Sequence, residues 1–367
     1  MLFTLLKLLN MKRLSFFLLV IFCTVQFVDA QEYRHYGNTK LRVLSSPQSA
    51  NCYIVSEAGS YMFATVKGNS FQSVGRVASC CVLWESFGTE VTPKVGDLIK
   101  RVSYKDGYIG FQTADTFKEG NAVIAAKDAY GNILWSWHIW LTDQPQDQVY
   151  YNNAGIMMDR NLGATSAKRG DVGALGLLYQ WGRKDPLGGA PSTITWPASV
   201  ESNSNNGTIA FATANPTTFI TRNEYNYDWY YTGSSLTDNT RWTTSENSKS
   251  IYDPCPVGWR VPDGGDNGVW SKAIGSNSGF DCPYNNTNGG MNLSGKFGPA
   301  STIWYPAAGF LFDSNGGFFR EATHGLYWSA STYGNRAYSL CLWYQDAVVT
   351  SDSETRACGQ SVRCVKE

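Results

Sequence analysis

Between Lys40 and Asp143 the apolar residues come in short runs, and no run is long enough to form a helical stripe. Residues 51–55, 59–66, 79–84, 108–113, 121–128 and 133–142 are rich in Val, Ile, Tyr, Phe and Trp, with Gly, Asn and Asp between them. Branched and aromatic side chains suit a pleated surface, so the runs predict strands, and their spacing predicts a sandwich. Ala129-Tyr130-Gly131-Asn132 between two runs reads as a hairpin turn. In the next run Trp135, Trp137 and Ile139 share one face, and Leu134, Ser136, His138 and Trp140 share the other. A packed central strand accounts for this better than a tryptophan-lined ligand face, because large aromatics are mostly buried. Cys80 and Cys81 are adjacent and so point to opposite faces.

Composition supports a mainly β or α+β chain. Gly numbers 36 and aromatics make up 14%, whereas long helices favour Ala, Leu, Glu, Lys and Arg. At 367 residues and 43% hydrophobic the chain can bury a large core, and its length predicts about two domains. Thirty basic residues balance thirty acidic ones. That leaves no electrostatic footprint for a phosphate backbone, and no nucleic-acid partner is expected.

Residues 1–30 read as a secretory signal. Lys12 and Arg13 precede an apolar stretch, 14–25, and Val28-Asp29-Ala30 supplies the small residues of a cleavage site. The stretch is shorter than the ~20 residues of a membrane span, which favours a cleaved signal over a retained anchor. Met11 is an alternative start, and Cys23 lacks the preceding small residue of a lipidation site. A secreted or outer-surface location is expected, with no transmembrane segment after signal removal. Cys52, Cys80, Cys81, Cys255, Cys282, Cys341, Cys358 and Cys364 remain, an even set that permits disulfides without choosing the pairs. There is no C-x-x-C, and His35, His138 and His324 stand alone, so neither metal nor cofactor is implied.

Polar Gln144-Pro145-Gln146-Asp147-Gln148 marks a boundary between domains 31–148 and 149–367. Beyond it, helical character is expected at 173–182, where Leu175, Leu178 and Tyr179 follow i, i+3, i+4. A second helix is expected from near Asn267, capped by Asp263 or Asp266. Residues 191–250 form a polar excursion dense in Ser, Asn and Thr.

Three blocks carry a family resemblance. They are Met158-Asp159-Arg160-Asn161-Leu162-Gly163-Ala164 with Leu178-Tyr179-Gln180-Trp181-Gly182; Asp253-Pro254-Cys255-Pro256-Val257-Gly258-Trp259-Arg260-Val261-Pro262; and Tyr327-Trp328-Ser329-Ala330-Ser331 with Gly359-Gln360-Ser361-Val362-Arg363-Cys364-Val365. Together they resemble the Fibrobacter major paralogous (FISUMP) domain of Bacteroidetes surface proteins, a C-type-lectin-like α+β module. The first half is similar to the β-sandwiches that precede that module in fimbrial-tip and adhesin-like proteins. The resemblance implies a disulfide between Cys255 and Cys364, and Cys282, Cys341 and Cys358 then form an odd set.

Alternation along 337–343 places Tyr338, Leu340 and Leu342 inward and Ser339, Cys341 and Trp343 outward. On the last strand it sends Val362 and Cys364 to the core and Arg363 away. The outward row, its flanks Tyr333, Asn335, Arg336, Tyr344, Gln345 and Asp346, and the polar Ser351, Asp352, Ser353, Glu354 and Thr355 have the composition of a recognition surface. An ordinary strand whose Trp lies against the excursion is the alternative. The heterogeneous stretch from Tyr333 to Cys358 also resembles the segment varied in retroelement-diversified bacterial surface proteins.

An enzyme is the least favoured reading. Formylglycine-generating enzymes share the broad fold and need reactive cysteines, but no basic or histidine partner stands near Cys341 or Cys358 in sequence. The acids Asp159, Asp171, Asp185, Asp253, Asp263 and Asp266 sit beside Gly, Pro or Arg, where turn and capping roles suffice. No calcium-lectin tripeptide occurs. The expectation is an exported adhesin-like protein that binds a cell-surface glycan or protein, or alternatively a structural fimbrial subunit that assembles with others.

Overall fold

The computed structural model describes residues 32–36, 39–189, 198–244, 248–276 and 279–367, so the expected signal, 1–30, lies outside the described residues. The fold is mainly β. In the first half β1 (Tyr33–Tyr36), β2 (Thr39–Val43), β4 (Ser60–Ala64), β7 (Tyr108–Thr113) and β6 (Ile99–Lys105) form one sheet in that spatial order. β3 (Cys52–Val55), β9 (Ile133–Leu141), β8 (Gly120–Lys127) and β5 (Ser79–Ser86) form another. All six apolar runs are strands. β1, β2 and β6 were not expected, because exposed Arg34 and His35 in β1, Lys40 in β2 and Lys100, Arg101 and Lys105 in β6 dilute their apolar period.

The two sheets share a core. Tyr61, Phe63, Ile109 and Phe111 of one meet Tyr53, Ile124, Trp137 and Ile139 of the other, and the Phe63 ring lies 5.0 Å from Trp137 and 5.1 Å from Tyr53. The β8–β9 turn forms where expected because the Asp128 carboxylate accepts the N–H groups of Tyr130 (2.8 Å) and Asn132 (2.9 Å).

The second face of the β3–β9–β8–β5 sheet is buried as well, against the second half of the chain. Cys52, Trp84, Val123 and Trp140 pack with Met158, Leu162, Trp181 and Trp328. Trp140 Nε1 donates to the Ala164 carbonyl at 2.9 Å, and Asn51 Nδ2 donates to the carbonyls of Ile251 and Asp253, both at 2.8 Å. Both faces of β9 are therefore core, and the segment 144–148 leads from β9 into the strand Asp147–Tyr150.

The second half contains β10 (Asp147–Tyr150), β11 (Gly155–Met158), β12 (Leu178–Gln180), β13 (Trp259–Arg260), β14 (Phe280–Asp281), β15 (Gly290–Asn292), β16 (Trp304–Pro306), β17 (Phe310–Leu311) and β18 (Phe318–Phe319). These are followed by β19 (His324–Tyr333), β20 (Arg336–Trp343), β21 (Ala347–Thr355), β22 (Gly359–Ser361) and β23 (Val365–Lys366). Its largest sheet runs β14-β21-β20-β19-β22-β17-β18, with β12 paired to β22. The Cys255–Cys364 disulfide is present, with the two Cα atoms 6.1 Å apart.

Three local expectations change. Residues 173–182 are not helical: a 3-10 turn at Val172–Ala174 gives way, past Gly176 in the left-handed region, to β12. Leu178, Tyr179 and Gln180 are all buried, and so short an apolar run satisfies both periods. The helix near Asn267 exists as Val269–Ile274, but it starts at Gly268 with no side-chain cap, and Asp263 contributes only its backbone carbonyl, to the Val269 N–H at 2.9 Å. The excursion holds a helix that was not expected, Ile209–Ala214, capped by the Thr208 hydroxyl.

Candidate functional site

The strands β19, β20 and β21 form an antiparallel meander with a turn at each end. β20 has eight residues, and at ~3.4 Å per residue its two ends lie roughly 24 Å apart. The expected recognition residues are therefore divided. Tyr333, Asn335, Arg336, Ser353, Glu354 and Thr355 gather at the β19–β20 turn, whereas Trp343, Tyr344, Gln345 and Asp346 occupy the β20–β21 turn. Ser339, Cys341, Ser351 and Asp352 lie along the strands between.

Ser339 and Cys341, expected outward, are buried. They do lie on the face opposite Leu340 and Leu342, but that face is covered. Their register partners on β19 are Trp328 and Leu326. Trp328 Nε1 donates to the Tyr179 carbonyl (2.8 Å) and Trp181 Nε1 to the Ser329 carbonyl (2.9 Å), which ties β12 and Trp181 to β19. Thr355 is buried as well, its hydroxyl donating to Asp313 at 3.0 Å. Tyr338, expected inward, is only half-buried and packs on Tyr333 with ring centroids 5.4 Å apart. Arg363, expected to point away, is buried: its guanidinium lies 3.8 Å from the Tyr305 centroid and donates to Asn161 and to the Trp304 carbonyl.

The β20–β21 turn combines exposure with rigid support. Trp343 is 39% exposed and Tyr344 44%. The His324 ring braces both, with centroids 5.1 and 6.1 Å away. Burial, and then the charge of Arg320, lowers the His324 pKa, so the brace is a neutral ring near pH 7. The Tyr344 N–H donates to the Thr323 carbonyl (2.9 Å) and Gln345 Nε2 to the Tyr344 hydroxyl (3.2 Å). Asp346, at φ 66°, accepts the Cys282 N–H on its carbonyl and the Tyr284 N–H on its carboxylate, both at 2.7 Å. Arg320 (φ 64°) and Ala322 (φ 54°) approach the same turn, also in the left-handed region. Such strain persists only where the surroundings impose it, and it clusters at functional sites. Arg320 extends the surface, lying 4.9 Å over the exposed Phe319 ring.

At the other turn Arg336 donates to the Ser353 carbonyl (3.1 Å), and the support beneath is the buried Arg356. Its guanidinium reaches the carbonyls of Asp238 and Gly334, each at 3.0 Å, and Asn239 Oδ1 at 2.7 Å. Sequence reasoning missed His324, Arg320 and Arg356. Their roles arise from contacts between segments that no local pattern reports.

The thiols are poorly placed for chemistry. Burial pushes Cys341 far up and Cys358 up to about 12, so both stay protonated, and a protonated thiol is a weak nucleophile. Among the described residues no three His, Cys, Asp or Glu side chains gather as a metal set, and no helix is long and apolar enough to cross a membrane. No protein family, curated protein or solved structure matches the chain.

Proposed function

We propose that the chain is an exported, cell-surface adhesin-like protein that recognises a glycan or a surface protein through the β20–β21 turn. In this reading a β-sandwich supports a FISUMP-type, C-type-lectin-like head. The observation that carries it is the half-exposed Trp343–Tyr344 pair on a neutral His324 brace. Large, rigid aromatic rings contribute contact area at little entropic cost. The Phe319–Arg320 extension adds the residue types that supply most interface energy. Burial and protonation of Cys341 and Cys358 weigh against the formylglycine-type alternative.

Assembly as a structural subunit needs a strand edge open to pairing. One of the two edge strands of the first sheet, β6, carries Lys100, Arg101 and Lys105, and charges so placed oppose edge-to-edge pairing there. The test is binding of the purified chain to glycan arrays and whole cells. Trp343→Ala with Tyr344→Ala should weaken it at least about a hundredfold and Tyr333→Ala with Arg336→Ala should not.

A further inference from the structure

We propose that the outer face of the five-stranded sheet is a second binding site, for a carboxylate-bearing sugar. The register puts Thr39 and Leu41 of β2, Ser60 and Met62 of β4, Tyr108, Gly110 and Gln112 of β7, and Arg101, Ser103 and Lys105 of β6 on the face away from the core. A groove of about 250 Å³ opens there.

Gly110 lines the groove. It sits in the middle of β7, paired regularly with Met62 on one side and Ser103 on the other, and its φ lies outside the left-handed region. The backbone therefore does not need glycine there, while glycine within a strand weakens the sheet and marks a place where something approaches closely. A Cβ at Gly110 would come within 3.3 Å of Leu41 Cδ2 and 3.7 Å of Ser103 Oγ, so a larger side chain there would press on the Leu41 packed beside it and intrude on the groove that Gly110 lines.

The lining selects the ligand. Leu41 and Met62 lie buried at its base, and the groups that line the opening are the hydroxyls of Thr39, Ser60 and Ser103 and the Gln112 amide. A fatty chain would desolvate those polar groups without bonding them, which disfavours it. A sugar bonds those hydroxyls and the amide, and keeps them satisfied. At ~30 Å³ per water the volume equals roughly eight waters, the scale of one monosaccharide.

Charge completes the choice. Arg101 and Lys105 stand on one rim, and Arg34 of β1 lies 4.5 Å over the Tyr108 ring. Among the described residues these strands place no Asp or Glu on this face. The nearest acids are in loops: Glu32 bonds Arg34 at 3.1 Å, and Asp106 is 4.0 Å from Lys105 in an exposed pair that solvent screens. The face is therefore cationic on a chain of zero net charge, and the Arg101 fork suits a carboxylate.

Isothermal titration of the full chain with tetragalacturonate and with its neutral methyl ester tests this. The acid should bind, and the ester should bind at least about tenfold more weakly, the scale of one charged hydrogen bond. Arg101→Gln with Lys105→Gln should cost a similar factor, and Gly110→Val should abolish binding. Ser103→Phe fills the groove from the exposed edge strand and gives the same answer should Gly110→Val fail to fold. Trp343→Ala should leave this binding unchanged. The proposal is overturned by no binding of the acid, by equal binding of acid and ester, by binding that survives Ser103→Phe, or by preference for decanoate or a polyglutamate peptide over the sugar.

Discussion

The Arg356 guanidinium lies 4.5 Å from the centroid of the Trp181 ring. The same ring receives Arg241 from 4.8 Å, and both cations share the buried Asp228, which forms an ion pair with Arg241 and lies 3.7 Å from Arg356. This charged, aromatic knot pins the excursion onto the β19–β20 turn. Removing one member of a buried ion set leaves uncompensated charge, a loss of about 3–5 kcal/mol. Arg241→Ala should lose that much in urea unfolding followed by tryptophan fluorescence. A loss under about 1 kcal/mol, the scale of an exposed pair, would refute the structural role assigned to the knot.

The Cys255–Cys364 bond joins positions 109 residues apart, and cross-links over long loops stabilise by about 2–4 kcal/mol. Reduction under native conditions should lower the unfolding free energy by that amount. Thiol titration supplies a second check. Cys80 and Cys81 are partly exposed, whereas Cys52, Cys282, Cys341 and Cys358 are buried. Among these six, only Cys80 and Cys81 should label in the folded protein, and the other four only after denaturation. Rapid native labelling of Cys341 or Cys358 would contradict the burial described here.

Two buried groups oppose each other in their response to pH. Burial raises Asp253 from 3.8 to about 6, so between about pH 4 and 6 the folded state holds more protons than the unfolded, and raising pH destabilises. Burial lowers His138 from 6.5 to about 3, so across the same window the unfolded state holds more protons, and lowering pH destabilises. Relative to the parent, Asp253→Asn should gain stability as pH rises from 4 to 6, and His138→Gln should gain as pH falls. Each difference should change by about 1.4 kcal/mol per pH unit. Stability profiles parallel to the parent's would contradict both assignments.

Alternation made most of the first half legible, because six apolar runs bounded by Gly, Asn and Asp have few other ways to bury themselves. It could not show what covers a face. Ser339 and Cys341 lie on the face that period two gives them, but that face is buried, and Arg363 lies between strands against Tyr305, which arrives from a distant segment. Residues 173–182 failed for a different reason: a buried three-residue strand and a helical turn present the same pattern. Arg101 and Lys105 were invisible as a site, since zero net charge averages over the whole surface. The long apolar runs carried the fold; the turn proposed for recognition depends on His324, which reaches Trp343 only through strand pairing.

Binding of the purified chain to whole cells and glycan arrays, measured for the parent, for Trp343→Ala with Tyr344→Ala, and for Tyr333→Ala with Arg336→Ala, tests the central claim most directly. Losing two exposed aromatic anchors of about 2 kcal/mol or more each should weaken binding at least about a hundredfold. The second pair, roughly 24 Å away along β20, should bind like the parent. Undiminished binding by the Trp343 and Tyr344 variant, with its fold intact, would contradict recognition through the β20–β21 turn.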